Sequence, residues 1–189
     1  MGIDGSINPM LLQVYAKLTG DKPHIQWNKV VWNRLNVPKH RFICWLAMQN
    51  RLQTTTKLAK IGVSTSADCL ICKQADEIHE HLFFSCQYSQ LCLQGLATWF
   101  GIHLTSTSLQ NGISSIKRGR YSKFRTQVCY AGVAALVYLI WKSRNQSFWE
   151  NFVPTVHSVM GSLKQIVKDR ITTVISQKVN RRDSENVKM

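Results

Sequence analysis

Apolar positions in this chain recur with the spacing of α-helices, and no segment shows the strict alternation of a half-buried strand. After Pro38, for example, Phe42, Trp45 and Leu46 fall at i, i+3 and i+4. This spacing predicts an amphipathic helix that turns these three side chains inward. Pro38 suits the first turn of that helix, where a missing N–H is not needed.

Further helices are predicted on both sides of this one. Residues 11–18 form one short candidate, and residues 88–100 form another that is stopped by Gly101. A third begins at the threonines 54–56, which offer an N-cap, and ends before Gly62. Three tryptophans could serve as stacking platforms for bases, but their helical spacing and apolar neighbours favour core positions. They are Trp27, Trp32 and Trp45.

The second half of the chain predicts a helical pair. Residues 126–145 are apolar nearly all round, which is typical of a buried helix, and the uncharged stretch 126–141 is shorter than the ~20 residues a bilayer needs. Beyond Pro154, a single apolar stripe runs from Val156 to Ile175. The stripe is predicted to fold back on 126–145; joining a partner's helix is the alternative.

One constellation implies specific chemistry, a C-x2-C-x8-H-x4-C array formed by Cys69, Cys72, His81 and Cys86. Three thiolates and one imidazole suit tetrahedral Zn²⁺, and four protein ligands leave no open position, so we predict one structural zinc ion per chain. His81 and Cys86 lie roughly 140° apart on an ideal helix, so one continuous helix cannot aim both at one metal. We therefore expect a break with Cys86 at it.

The histidines and cysteines of this chain also allow other interpretations. His79 is a rival ligand, two residues before His81. A redox role for the pair Cys69 and Cys72 needs a strand–helix context, and the residues before Cys69 resemble a loop. Cys44 and Cys129 lie in apolar helical stretches and are predicted core thiols.

Charge adds a second candidate function. The chain carries 24 Lys and Arg against 10 Asp and Glu, a net +14; residues 1–116 contribute +4 and residues 117–189 contribute +10. Such a field favours polyanions, of which nucleic acid is the commonest large one. A solvated basic surface without a partner is the alternative. The candidate phosphate contacts are Lys117, Arg118, Arg120, Lys123, Arg125, Arg181 and Arg182, with Lys39, His40 and Arg41 as a smaller cluster.

Several blocks together resemble a known family, the zinc-binding domain that follows the reverse transcriptase in plant non-LTR (LINE-type) retrotransposons. They include Trp32, residues 37–47 and 51–54, Cys69-Leu70-Ile71-Cys72 and residues 80–86. Residues 140–145 also resemble the helix that commonly follows this domain. The resemblance covers roughly residues 10–95. One departure is Gln87, where family members often carry Pro; it touches no ligand.

Apolar spacing, composition and the resemblance together predict three regions in a mainly α chain. We expect a small helical zinc-binding domain at 10–100, a basic Ser/Gly-rich linker at 101–125, and a helical C-terminal region with a basic tail at 126–189. No polymerase signature and no acidic cluster for two catalytic metals stand in the sequence. It therefore predicts a detached accessory domain and no enzyme.

The leading functional hypothesis is a non-catalytic, zinc-stabilised module that binds RNA or DNA without much sequence preference. Its rivals are a structural or protein-interaction module with a helix-mediated partner, and a decayed retroelement fragment without a selected role. Without a charged, apolar leader at Met1–Met10, we expect an intracellular protein, nuclear or cytoplasmic, not secreted and not in a membrane. In that setting we expect the six cysteines to be metal-binding or buried thiols.

Overall fold

A computed structural model describes residues 28–104 and 108–174 of the protein, and these are almost entirely helical. No strand occurs in these ranges; Asp68 and Asp76 form one isolated antiparallel bridge. The mainly α fold class is confirmed. A single π turn, His81–Ser85, lies between the third and fourth helices. The α-helices are α1 Asn28–Val31, α2 Pro38–Met48, α3 Thr55–Lys60, α4 Gln87–Phe100, α5 Leu109–Arg118, α6 Lys123–Glu150 and α7 Val156–Val174.

Helix α6 is the centre of the fold. Fifteen of its residues are buried, and it packs against α1, α2, α4, α5 and α7. Because neighbours cover it on several sides, its sequence is apolar nearly all round, as predicted. By length and composition it could also cross a bilayer, but 67% of its most apolar window is buried inside the protein. Packing therefore accounts for its apolar character.

Helix α7 folds back on the core through its apolar stripe. Val159, Leu163 and Val167 are buried, and the helix contacts α6 and α4. Thr155 begins the helix by accepting the N–H of Ser158 at 3.2 Å, an N-cap just after Pro154. The predicted fold-back is confirmed for the described part of the stripe; Ile175 lies outside it.

Helices α4 and α6 approach each other closely at Gly132. A Cβ at this position would collide with the ring of Phe100, so only glycine lets the two backbones come this near. Helix α4 ends at Gly101, which adopts a left-handed φ of 59°. This end of the helix is as predicted.

The buried face of α2 is not the one that the apolar spacing predicted. Phe42, expected inward, is 56% exposed. Trp45 and Leu46 are only partly buried. The face that packs on α6 follows the i, i+4, i+8 ridge instead, which matches the ridge packing of two crossing helices. Its buried side chains are His40, Cys44 and Met48.

Trp32 is also placed differently from the prediction. It is 58% exposed, whereas its neighbours Val30 and Val31 are completely buried. Helix α1 is only four residues long, so the two valines occupy the side that faces α6 and the indole points outward. The core interpretation of Trp32 is wrong. Trp27 and the helix predicted at 11–18 lie outside the described residues.

A helix occupies part of the segment that composition predicted to be a linker. Helix α5 is capped by Ser108, which accepts the N–H of Asn111 at 3.2 Å. Its buried residues Ile113 and Ile116 join the core beside α6. The two apolar side chains three apart were too short a signal to outweigh the many Ser and Gly residues around them. The boundaries 10–100, 101–125 and 126–189 stay predictions.

Candidate metal centre

The structure brings Cys69, Cys72, His81 and Cys86 together in one cluster. Their ligand atoms all lie within 4.8 Å of one another, and Cys72 Sγ lies 3.2 Å from His81 Nε2. Ligands bound to one Zn²⁺ at about 2.0–2.3 Å sit roughly 3.4–3.8 Å apart at the corners of a tetrahedron. The cluster therefore fits a tetrahedral metal ion with little movement, and its soft donor set suits zinc.

A tight loop presents the first two ligands. Cys69 donates its N–H to the Ala75 carbonyl at 2.7 Å, and its own carbonyl accepts the N–H of Lys73 at 2.8 Å. Lys73 adopts a left-handed φ of 57°, which reverses the chain directly after Cys72. These bonds hold both sulfurs on the same side of the loop, as a chelating Cys-x-x-Cys pair requires.

The π turn explains how His81 and Cys86 reach the same point. The N–H of Cys86 donates to the carbonyl of His81 at 2.7 Å, a bond across five residues. This wider turn brings together two residues that an ordinary α-helix would place on different sides. Cys86 itself is extended and occupies the N-cap position of α4. The predicted break at Cys86 is present, and a π turn is its structural form.

The thiols of Cys69 and Cys86 form a hydrogen bond and share its proton. Their hydrogen bond raises the pKa of Cys69, with burial adding to the increase, and the same bond lowers the pKa of Cys86. A metal ion would take the place of that proton and keep both sulfurs as thiolates. Metal uptake by this cluster must therefore release protons.

Glu77 supports the ligand loop, and the sequence did not single it out. Its buried carboxylate accepts the N–H of Leu70, between the first two ligands, at 3.1 Å. It also accepts the N–H of Thr55, the first residue of α3, at 2.9 Å. Thr54, predicted to cap α3, makes no side-chain cap. Glu77 supplies that cap from outside the helix.

Arg144 of α6 completes the support. Its Nε donates to Glu77 Oε1 at 2.9 Å, and the two side chains are only 4% and 0% exposed. Ser147, one turn further along α6, donates to the carbonyl of Leu70 at 2.7 Å. A carboxylate that is buried in a fold needs a hydrogen-bonding or charged partner. The position of Glu77 between the two ligand pairs was therefore the one feature of the sequence that could have pointed to this support.

A second link joins the C-terminal side of the cluster to α6 and the start of α7. The Tyr88 hydroxyl donates to the Pro154 carbonyl at 2.8 Å and lies 3.2 Å from Ser143 Oγ. Block 140–145, which resembles the helix following this kind of domain, thus contributes Ser143 and Arg144 directly to the metal centre's support. The zinc-binding part and the C-terminal helices are packed as one unit here.

The rival interpretations find no support in the geometry. His79 is not in the ligand cluster; it is buried beside Phe83, and burial lowers its pKa to about 4. No strand precedes Cys69 in residues 28–68, so the strand–helix setting of a redox pair is not present there. Cys44 and Cys129 are buried core thiols, as predicted, and burial raises their pKa values to about 12 and about 11.

The predicted phosphate-binding residues divide into three groups. Arg125 hydrogen-bonds the carbonyl of Phe100 at 2.7 Å and lies over the Tyr121 ring, so it secures the end of α4. His40, of the smaller cluster, is buried against the Tyr138 ring and cannot meet a phosphate. Arg181 and Arg182 lie outside the described residues. Arg41 is half-buried and donates to the Asn33 carbonyl at 3.3 Å, so it belongs with Arg125 and His40. The exposed members are Lys117, Arg118, Arg120, Lys123 and Lys39.

Residues 11–92 match a family model described as zinc-binding in reverse transcriptase. The matched segment is somewhat less than half of the 189 residues, and over that length the chain is similar to this family of zinc-binding domains. The four clustered ligands lie within the matched residues, so the family assignment and the geometry agree on a metal site. Comparisons with curated proteins and with solved structures gave no match.

Proposed function

We propose that this protein is a non-catalytic nucleic-acid-binding module, stabilised by one structural Zn²⁺ and derived from a retrotransposon polyprotein. The family match and the block at 140–145 support the retroelement origin. Four protein ligands fill a tetrahedral site, so the metal would hold the fold and would not activate water. Six free cysteines suit a reducing intracellular setting, nuclear or cytoplasmic.

The observation that carries the proposal is a run of exposed cations between α5 and α6. Lys117, Arg118, Arg120 and Lys123 fall within seven residues that contain no acidic side chain, and all four are exposed. Two of them lie in the last turn of α5 and one begins α6, so packed helices hold the run in place. Such a run neutralises several adjacent phosphates without reading base identity.

Salt-dependent binding of the zinc-loaded full chain tests the proposal. Fluorescence anisotropy with short RNA and DNA oligonucleotides should show affinity that falls steeply as salt rises. The triple change Lys117→Glu, Arg118→Glu, Arg120→Glu should weaken binding and lower the logarithmic salt slope by roughly 2, at about 0.7 per phosphate contact on a single strand. Zinc content should stay the same, since these residues lie away from the ligands.

A matched control carries the same change in net charge elsewhere. Lys60, Lys142 and Lys164 are exposed and lie outside the run, so their triple reversal to Glu should change the salt slope much less. If both triple variants lose the same affinity for the oligonucleotides, binding depends on overall charge and not on the run. No binding to RNA or DNA at low salt would overturn the proposal.

One observation favours a protein-interaction role as the second candidate. Phe148, Trp149 and Phe152 are 40%, 79% and 55% exposed at the end of α6. Adjacent exposed aromatics are typical of protein contact sites. The α7 stripe, by contrast, is used within the fold. If nucleic-acid binding fails, this aromatic surface becomes the feature to test by substitution.

A further inference from the structure

Trp32 stands at the edge of an open cleft between α1, α5 and α6. The cleft has a volume of about 650 Å³, within the range of pockets that hold small ligands. Its lining includes the exposed residues Lys29, Arg34, Lys117 and Lys123 and the buried Tyr130. No acidic residue lines it.

The four cations of the cleft make no ion pair with another described residue. In residues 28–104 and 108–174, the one ion pair is the one between Glu77 and Arg144, at the metal centre. Lysine and arginine side chains gathered at a cleft without a counter-charge create a strong local positive potential. Two of the four, Lys29 and Arg34, come from a region that charge counting along the sequence did not single out.

The wall that carries Trp32 is held firmly. Asn33 donates its side-chain amide to the Gln127 carbonyl of α6 at 2.5 Å, which fixes α1 against the opposite wall. Arg41 donates to the Asn33 carbonyl at 3.3 Å, and its guanidinium lies 5.6 Å from the centre of the Trp32 ring. The indole is thus exposed on a rigid support, which lowers the entropy cost of using it as a contact surface.

We propose that this cleft binds single-stranded nucleic acid, with one base stacked on Trp32 and the flanking phosphates on Lys29, Arg34, Lys117 and Lys123. The inference rests on the proposed function and gives it a site. An exposed aromatic ring in a cleft lined by cations is the combination that binds single strands, because a base in a duplex has both faces covered by its neighbours. The cleft's volume accommodates a nucleotide, not a double helix.

Substitution of Trp32 gives the direct test. With 12-nucleotide RNA and DNA single strands as probes, Trp32→Ala should weaken binding about 5- to 150-fold, the range of one base–aromatic stack. Trp32→Phe, which keeps a ring, should retain most of the affinity. A 12-base-pair DNA duplex should be affected by neither change. RNA and DNA strands measured side by side show which sugar the cleft prefers.

The control is Trp149→Ala. Trp149 is even more exposed, at 79%, but it lies near the other end of α6, roughly 30 Å along the helix axis from Gln127. Its removal should leave single-strand affinity unchanged. Since Trp32 and Trp149 are both on the surface, zinc content and melting temperature should stay near wild type in both variants, so a loss of binding cannot be attributed to unfolding.

A second pair of changes separates the cleft from the basic run. Lys29→Glu with Arg34→Glu should lower the salt slope for single strands by roughly 1.4, whereas Lys60→Glu with Lys142→Glu should not. Two outcomes would overturn the cleft inference and leave the basic run alone, provided that the wild type binds. In the first, Trp32→Ala binds single strands as tightly as Trp149→Ala does. In the second, Trp32→Ala loses affinity for duplex and single strand equally. If the wild type does not bind, the proposed function fails first.

Discussion

The buried ion pair between Glu77 and Arg144 is the strongest tie between the ligand loop and α6, and Arg144→Met tests it. The change removes the cation and leaves a carboxylate with no access to water. Breaking a buried pair in this way costs about 3–5 kcal/mol. Two backbone N–H groups still bond Glu77, from Thr55 and Leu70. We therefore expect the lower end, about 3 kcal/mol.

The expected loss is large enough to measure by heat and by denaturant. For a chain of this length, about 3 kcal/mol corresponds to a fall in Tm of about 6–12 °C. Lys142→Met, an exposed cation two residues earlier on α6, should change the free energy of unfolding by less than about 0.5 kcal/mol. Zinc affinity of Arg144→Met, measured by competition with a chelator, should fall about 10- to 100-fold, because Glu77 supports the loop between Cys69 and Cys72.

A double-mutant cycle tests whether Glu77 and Arg144 act as a pair. Glu77→Gln and Arg144→Met should each destabilise the protein, and the double variant should lose clearly less than their sum, since the second change removes a charge that the first left unpaired. Simple additivity, or a loss below about 1 kcal/mol for Arg144→Met, would mean that the pair does not tie α6 to the loop. Unchanged zinc affinity would refute the link to the metal.

Three further predictions follow from the structure. The protein should bind one Zn²⁺ per chain, and the Cys69→Ser, Cys72→Ser double variant should lose it. The fold of residues 66–90 should be lost with the ion, because binding of structural zinc contributes roughly 10–16 kcal/mol. Stoichiometric zinc in that variant, measured by elemental analysis, would contradict this. Gly132→Ala should cost about 1–3 kcal/mol by collision with a neighbouring ring, whereas Gly161→Ala, in open space on α7, should stabilise by up to about 1 kcal/mol in chemical unfolding. Burial lowers the pKa of His40 to about 4, so protonation favours the unfolded chain. The contribution of neutral His40 to the free energy of unfolding is therefore complete above pH 6.5 and is lost as pH falls toward 4, by at most about 3 kcal/mol. Unfolding curves of His40→Gln should show a shallower decline in stability over that window.

The elements with strong local signals were predictable. Gly101, with its left-handed backbone, ends α4 where the pattern placed the end. Pro38 begins α2. Residues 126–141 are so uniformly apolar that only a buried helix satisfies them, and the structure extends that helix to Lys123–Glu150. In each case the physical cause acts within a few residues, so the sequence alone contains it.

The metal centre divides in the same way. Ligand type and spacing singled out Cys69, Cys72, His81 and Cys86, because thiolate and imidazole donors have few other uses in such an array. Their support was not visible, because Glu77 and Arg144 are 67 residues apart and only the packing of α6 brings them together. The pairing of a buried acid with a distant cation is a tertiary fact.

By itself, the sequence determined the helical class, the main helix ends and the four clustered ligands, all of which depend on local spacing and side-chain chemistry. Tertiary structure alone decided which side chains of α1 and α2 are buried. Phe42 and Trp32 both had helical spacing with apolar neighbours, yet both are exposed, because α6 packs against other side chains of α1 and α2. A helix with two apolar faces carries no local information about which one its neighbour will cover, and here that choice left an indole beside four cations.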